Sequence, residues 1–226
     1  DNPEIGCNLI FALLNLGHVG EAVSHARALL RQHPQAANCY LMLGFALVQQ
    51  AQITAALSCC QRALDLIPEK PATAAISNAL FSLLYQDELV GEAYVAERQR
   101  WVQQFPQPSL RFTAWPNNRD SDRPLKVGYV SGDFRSHPVS FFLEPILTHH
   151  DPQQFRIYCY DVGGVEDEIT ARLKSHSQTW RTCVGWSDVT LGQRIYDDGI
   201  DILINLGGHT EGNRTAVFLS KPAPLQ

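Results

Sequence analysis

Apolar residues along the chain follow two rhythms. Up to about residue 105 they recur three and four positions apart, the spacing of helices buried along one face. From Lys126 onward they come as short runs rich in β-branched and aromatic residues, separated by polar helical stretches. That alternation predicts a parallel sheet flanked by helices. Residues 127–130, 155–160, 180–184 and 202–206 read as strands, the last continuously apolar as a central parallel strand is. Between them, helices are expected over 139–147, opened by Pro138 at a first helical position, and over 166–176. A third runs from a Ser187 cap to Asp198 and ends at Gly199, and a fourth covers 213–220. Residues 221–226 read as the lead-in to a fifth strand, so the chain is expected to stop inside its second domain.

The helical part repeats. Shifted by 34 residues, Leu9 falls on Leu43, Leu13 on Leu47, Ala22 on Ala56, Ala26 on Cys60, Leu30 on Leu64 and Pro34 on Pro68. That period, with small residues inside and a closing proline, is the signature of tetratricopeptide helix pairs. In the second unit Tyr40, Leu43, Gly44 and Leu47 line one helix, and Ala56, Cys60, Ala63 and Pro68 mark the other. A third unit, from Pro71 to Phe105, is irregular: Ala93 lies 37 residues after Ala56, an insertion of three. Terminal repeats deviate because they cap a stack. The expected all-α superhelix exposes a concave groove, read either as a protein- or peptide-binding surface or as support for the next domain.

Residues 106–124 change character again. Pro106, Pro108, Pro116 and Pro124 alternate with Asn117-Asn118 and Asp120-Ser121-Asp122, which is loop chemistry. Phe112 and Trp115 are expected to anchor this linker onto one side or the other. The Asp120-x-Asp122 spacing resembles a metal-binding pair, but a proline-rich linker makes it a solvated turn. The domains are therefore 1–105, linker 106–124 and an α/β domain over 125–226.

Composition narrows the partners. A net charge of −5 argues against broad binding to nucleic acid or an anionic membrane. No apolar run is long enough for a membrane span, and no leader is visible. The six cysteines form no CxxC pair and read as reduced, buried thiols of a cytoplasmic protein.

Candidate chemistry gathers at two glycine-bearing turns that follow strands, 131–137 and 207–212. In open α/β sheets ligands bind beyond the carboxyl ends of the strands, which puts Asp133, Arg135, Ser136 and His137 at a cleft rim. Neither turn is a dinucleotide or P-loop fingerprint. His137, just before Pro138, is a candidate base whose neutral form a helix N-terminus favours; the alternative is a histidine that caps the helix or packs on Phe141. His209 on the other turn has the same two readings. No third ligand stands at zinc spacing. His149-His150 read as charges at an exposed helix C-terminus.

The runs VGYVSGDFRSHPVSFFLEPIL, FRIYCY, DDGIDILINLGGHTEGNR and KPAPLQ, preceded by the repeats, resemble the O-linked N-acetylglucosamine transferases and their bacterial relatives, glycosyltransferase family 41. The resemblance implies a GT-B architecture of two Rossmann-like lobes, this chain carrying the first. It implies metal-independent, inverting transfer of N-acetylglucosamine from a UDP-sugar to Ser or Thr hydroxyls of acceptor proteins held through the tetratricopeptide groove. No cofactor is implied. It places His137 near the reacting groups as a candidate general base, with Asp133, Gly207, Gly208, His209 and Thr210 binding substrate. Animal members carry a tyrosine at the place of His209, which argues against His209 as the sole base. With the second lobe missing, this stretch alone is expected to bind UDP weakly and turn over little. Transfer of another sugar or N-linked transfer, and a non-catalytic interaction scaffold, are the alternatives.

Overall fold

The structure, a computed structural model, describes residues 2–67, 73–210 and 212–226. The chain divides into two compact units, 1–106 and 107–226.

The first unit is helical: α1 (Pro3–Asn15), α2 (Val19–Gln32), α3 (Ala37–Gln49), α4 (Ile53–Leu66), α5 (Thr73–Ser82) with a 3₁₀ turn at Leu83–Tyr85, and α6 (Gly91–Val102). The sequence period reappears in the bounds: α1 and α3 start at Pro3 and Ala37, α2 and α4 at Val19 and Ile53, each 34 residues apart. Ala22, Ala26, Ala56 and Cys60 are wholly buried. A Cβ on Gly44 would lie 3.4 Å from the Ala56 carbonyl oxygen, so the small residues stand where α3 and α4 touch. Leu9 departs from its counterpart Leu43, being 46% exposed against 6%. The third pair departs further. Ala93, aligned with Ala56, is exposed, and among its described residues α6 buries only Trp101. Pro68 and Pro71, read as repeat boundaries, lie outside the described residues.

The second unit holds a four-stranded, wholly parallel sheet of order β3-β2-β1-β4, with β1 (Leu125–Ser131), β2 (Phe155–Asp161), β3 (Thr179–Thr182) and β4 (Ile202–Asn205). The connecting helices are α7 (Pro138–His149), α8 (Glu168–Ser175), α9 (Asp188–Asp197) and α10 (Thr215–Leu219). The pleat sends alternate residues of β1 to opposite faces. Val127 and Tyr129 join Leu143 and Leu147 of α7 and Leu173 of α8, while Val130 joins Leu191 and Ile195 of α9 and Val217 of α10. Leu225 pairs in parallel with Ile202, continuing the sheet beside β4. β3 is shorter than expected and only half-buried, as befits an edge strand.

Residues 107–124 belong to the second unit rather than standing apart. The Phe112 ring stacks on Tyr196 at 3.9 Å, the Trp115 indole donates to the Lys221 carbonyl, and the Arg123 guanidinium donates to both oxygens of Asp201. The linker is thus an ordered strap. Asp120 and Asp122 form a local turn in which the Asp122 amide donates to Asp120 Oδ1. His150 is not an exposed charge: it meets the Tyr129 hydroxyl at 2.9 Å, and burial lowers its pKa.

Candidate functional site

Strand order reverses at β1, whose neighbours β2 and β4 lead off in opposite directions. At such a switch point the crossover connections part and leave a crevice at the carboxyl ends of the strands. β1 and β4 both end there, with Val130 paired to Asn205 and the Leu206 amide donating to the Val130 carbonyl. The two glycine-bearing turns therefore leave the same sheet edge from adjacent strands, Asp133 and His137 on the first turn and Gly207, Gly208, His209 and Thr210 on the second.

The β1–α7 turn is tied at both ends. The Asp133 amide donates to Ser131 Oγ at 3.0 Å, and Ser140 Oγ donates back to the Asp133 carbonyl at 2.7 Å. His137 is the N-cap of α7, with Pro138 at the first helical position as expected. Its Nδ1 accepts the Val139 amide at 3.3 Å, and its Nε2 lies 3.8 Å from Asp133 Oδ1. A neutral ring that accepts at Nδ1 carries its hydrogen on Nε2, so this rotamer presents an N–H. Arg135 Nη2 reaches Asp133 Oδ1 at 3.4 Å, gathering two cationic-capable groups around one carboxylate. Phe141, offered as a packing partner for His137, is 56% exposed.

The β4–α10 turn is bonded internally. Asn205 Oδ1 accepts the Gly207 and Gly208 amides at 3.1 and 3.2 Å, Thr210 Oγ1 donates to the Gly207 carbonyl, and Thr215 Oγ1 donates to the Gly208 carbonyl. Gly208 has φ +54°, a backbone that side chains disfavour. His209 is half-buried and Thr210 exposed. The glycine amides are thus engaged by Asn205, a residue that sequence reading passed over although Asn two residues before a glycine pair is a turn signal.

Beside β1, Asp161 ends β2 and accepts the Gly163 and Gly164 amides. That bend presses Gly163 onto Gly132, where an added Cβ would overlap the Gly132 carbonyl. Among the described residues no three His, Cys, Asp or Glu side chains gather as a metal site. A groove of about 630 Å³ opens at the opposite, amino-terminal edge of the sheet, between the strap and the end of α9, away from the switch point.

A parallel sheet with two polar turns at its switch point, following a helical array, defines an open α/β unit. The chain belongs to glycosyl transferase family 41, whose family model matches residues 101–226. It is 33% identical over 153 residues to the probable UDP-N-acetylglucosamine–peptide N-acetylglucosaminyltransferase SPINDLY of Hordeum vulgare, covering 66% of this chain and 16% of that protein. The SPINDLY of Arabidopsis thaliana is 31% identical over the same length, covering 66% and 17%. A solved mutant of the Thermobaculum terrenum O-GlcNAc transferase superposes with a TM-score of 0.88 at 32% identity, over 100% of this chain and 43% of that one. The chain therefore spans less than half of the solved structure and about a sixth of each SPINDLY protein.

Proposed function

We propose that this chain is part of a protein O-glycosyltransferase that moves N-acetylglucosamine from UDP-N-acetylglucosamine to Ser or Thr hydroxyls by metal-independent, inverting transfer. In this reading the 34-residue helix pairs are tetratricopeptide repeats that present acceptor proteins. The α/β unit is the first Rossmann-like lobe of a GT-B enzyme, and a second lobe completes the UDP site. The observation that carries the reading is the departure of the two turns from adjacent strands at the β1/β4 switch point in a family 41 chain. His137 and Asp133 would face the reacting groups, with Gly207, Gly208, His209 and Thr210 across the crevice. With Nδ1 held by Val139, His137 offers a donor from Nε2; service as a base requires the substrate complex to free a ring nitrogen.

The cap geometry also favours a second reading, in which His137 only starts α7, and the experiment separates the two. UDP release and sugar incorporation are measured on the full-length protein with UDP-N-acetylglucosamine and UDP-glucose, beside His137→Ala and His137→Asn. Asparagine keeps an N-cap acceptor but lacks an imidazole. Loss of turnover in both variants, at least about 100-fold as expected for a lost acid–base or positioning group, supports the site. Activity retained by His137→Asn reduces His137 to a cap, and no turnover with either donor favours the scaffold.

A further inference from the structure

The β1–α7 turn is held by two kinds of tether. Ser131 and Ser140 belong to the strand and helix the turn joins, so they shape it without fixing where it sits. The other two come from α8. The Ser136 amide donates to Asp167 Oδ2 at 2.6 Å, and Thr170 Oγ1 donates to the Phe134 carbonyl at 2.7 Å in a buried bond. Asp167 and Thr170 are also the capping box of α8, with the Thr170 amide donating to Asp167 Oδ1 at 2.9 Å and the Asp167 amide meeting Thr170 Oγ1 at 3.1 Å. One carboxylate thus caps a helix with one oxygen and grips the turn with the other. Between the two grips Phe134 is buried, 5.0 Å from the Trp180 ring.

We propose that the Asp167–Thr170 cap of α8 is the clamp that sets the β1–α7 turn, and that both are positioning residues for His137; this rests on the glycosyltransferase reading of the site. The turn carries Asp133 and His137 on backbone with no ladder of its own. Its placement against the crevice is therefore decided by what grips it from outside. A misplacement of about 1 Å at such a group costs on the order of 100-fold in rate.

The test separates clamp from cap in the full-length enzyme. Asp167 meets each amide with a different oxygen, so an asparagine at 167 puts its single oxygen at one of the two positions and an NH₂ at the other. Asparagine is as good a helix cap as aspartate, so the oxygen is expected at Thr170 and the NH₂ against the Ser136 N–H. Asp167→Asn is expected to keep Tm within about 2 °C, to speed amide exchange across residues 133–139, and to lower kcat about tenfold with KM within about twofold. Ser187→Ala removes the cap of α9. It is expected to lower Tm by a few degrees and to leave both exchange at 133–139 and kcat unchanged. Thr170→Ser keeps the hydroxyl and is expected to hold kcat, whereas Thr170→Val lowers it. Wild-type exchange and kcat in Asp167→Asn, or an equal kcat loss in Ser187→Ala, would overturn the clamp. Absence of sugar transfer by the wild-type enzyme would instead overturn the underlying reading, and unchanged exchange at 133–139 would then still count against the clamp on its own.

Discussion

At Gly163 the chain leaves no room for a side chain, because its α-carbon hydrogen faces the Gly132 carbonyl in the neighbouring turn. Gly163→Ala is therefore expected to force the β1 and β2 turns apart at about 1–3 kcal/mol, the usual cost of overpacking, seen as a drop in Tm. An unchanged Tm would show that the two turns separate freely. The thiols make a second residue-scale prediction. Burial pushes Cys39, Cys60, Cys159 and Cys183 up to about 12, so almost none is thiolate at pH 7. The folded protein should react with an alkylating reagent far more slowly than the denatured chain. Fast labelling of any of these four would contradict their burial. At the candidate site, the helix start at Pro138, with His137 just before it, was legible in the sequence, because a proline at a first helical position is a local rule. Asp167 was not, because it lies 31 residues beyond the Ser136 amide it accepts and becomes a neighbour only when the sheet forms. His150 was misread for the same reason: its partner Tyr129 lies on another element.

Elements whose logic is local came through the sequence well. The 34-residue period predicted four helices whose starts repeat at that interval, and the apolar runs located all four strands. What failed was register where partners decide it. In the third helix pair, read as irregular, Ala93 is exposed where its counterpart Ala56 is buried. The apolar residues of α7 are only partly buried, since Leu143 and Leu147 are covered while Phe142 and Ile146 stay 77% and 50% exposed. That split predicts unequal mutational costs along one helix. Leu143→Ala removes a side chain packed in the core beneath β1 and is expected to cost about 2–5 kcal/mol. Phe142→Ala should stay within about 0.5 kcal/mol, as surface changes do. Chemical denaturation of the two variants checks the contrast, and equal losses would mean that the exposed phenylalanine is covered in the folded protein.

On the scale of the whole molecule, the proline-rich stretch read as a linker is a structural part of the α/β unit, and one carboxylate gathers several of its ties. Asp201 accepts both Arg123 nitrogens, each at 2.7 Å, Asn117 Nδ2 at 2.7 Å and the Lys126 amide at 2.8 Å. Burial raises its carboxyl, but Arg123, the Lys126 amide and Asn117 together outweigh it, so the group ends below the ordinary carboxylate range. Arg123→Met keeps the apolar stem and removes the charge, leaving Asp201 with 9% of its side chain exposed and no counter-ion. The expected loss is about 2–3 kcal/mol at pH 7, less than for a fully buried pair because Arg123 is 20% exposed. The pH dependence follows from the direction of the shift. A carboxyl depressed in the folded state contributes stability that is complete above its unfolded value of about 3.9 and is lost as pH falls through its folded value. Without Arg123 that contribution is gone, so lowering the pH takes stability from the wild-type protein that the variant no longer has. Thermal melts of the two proteins should therefore differ most at pH 7 and converge toward pH 3. A gap that stays constant over that range would assign the loss to the packing of the arginine stem, and the strap would then be held by the Phe112–Tyr196 stack rather than by charge.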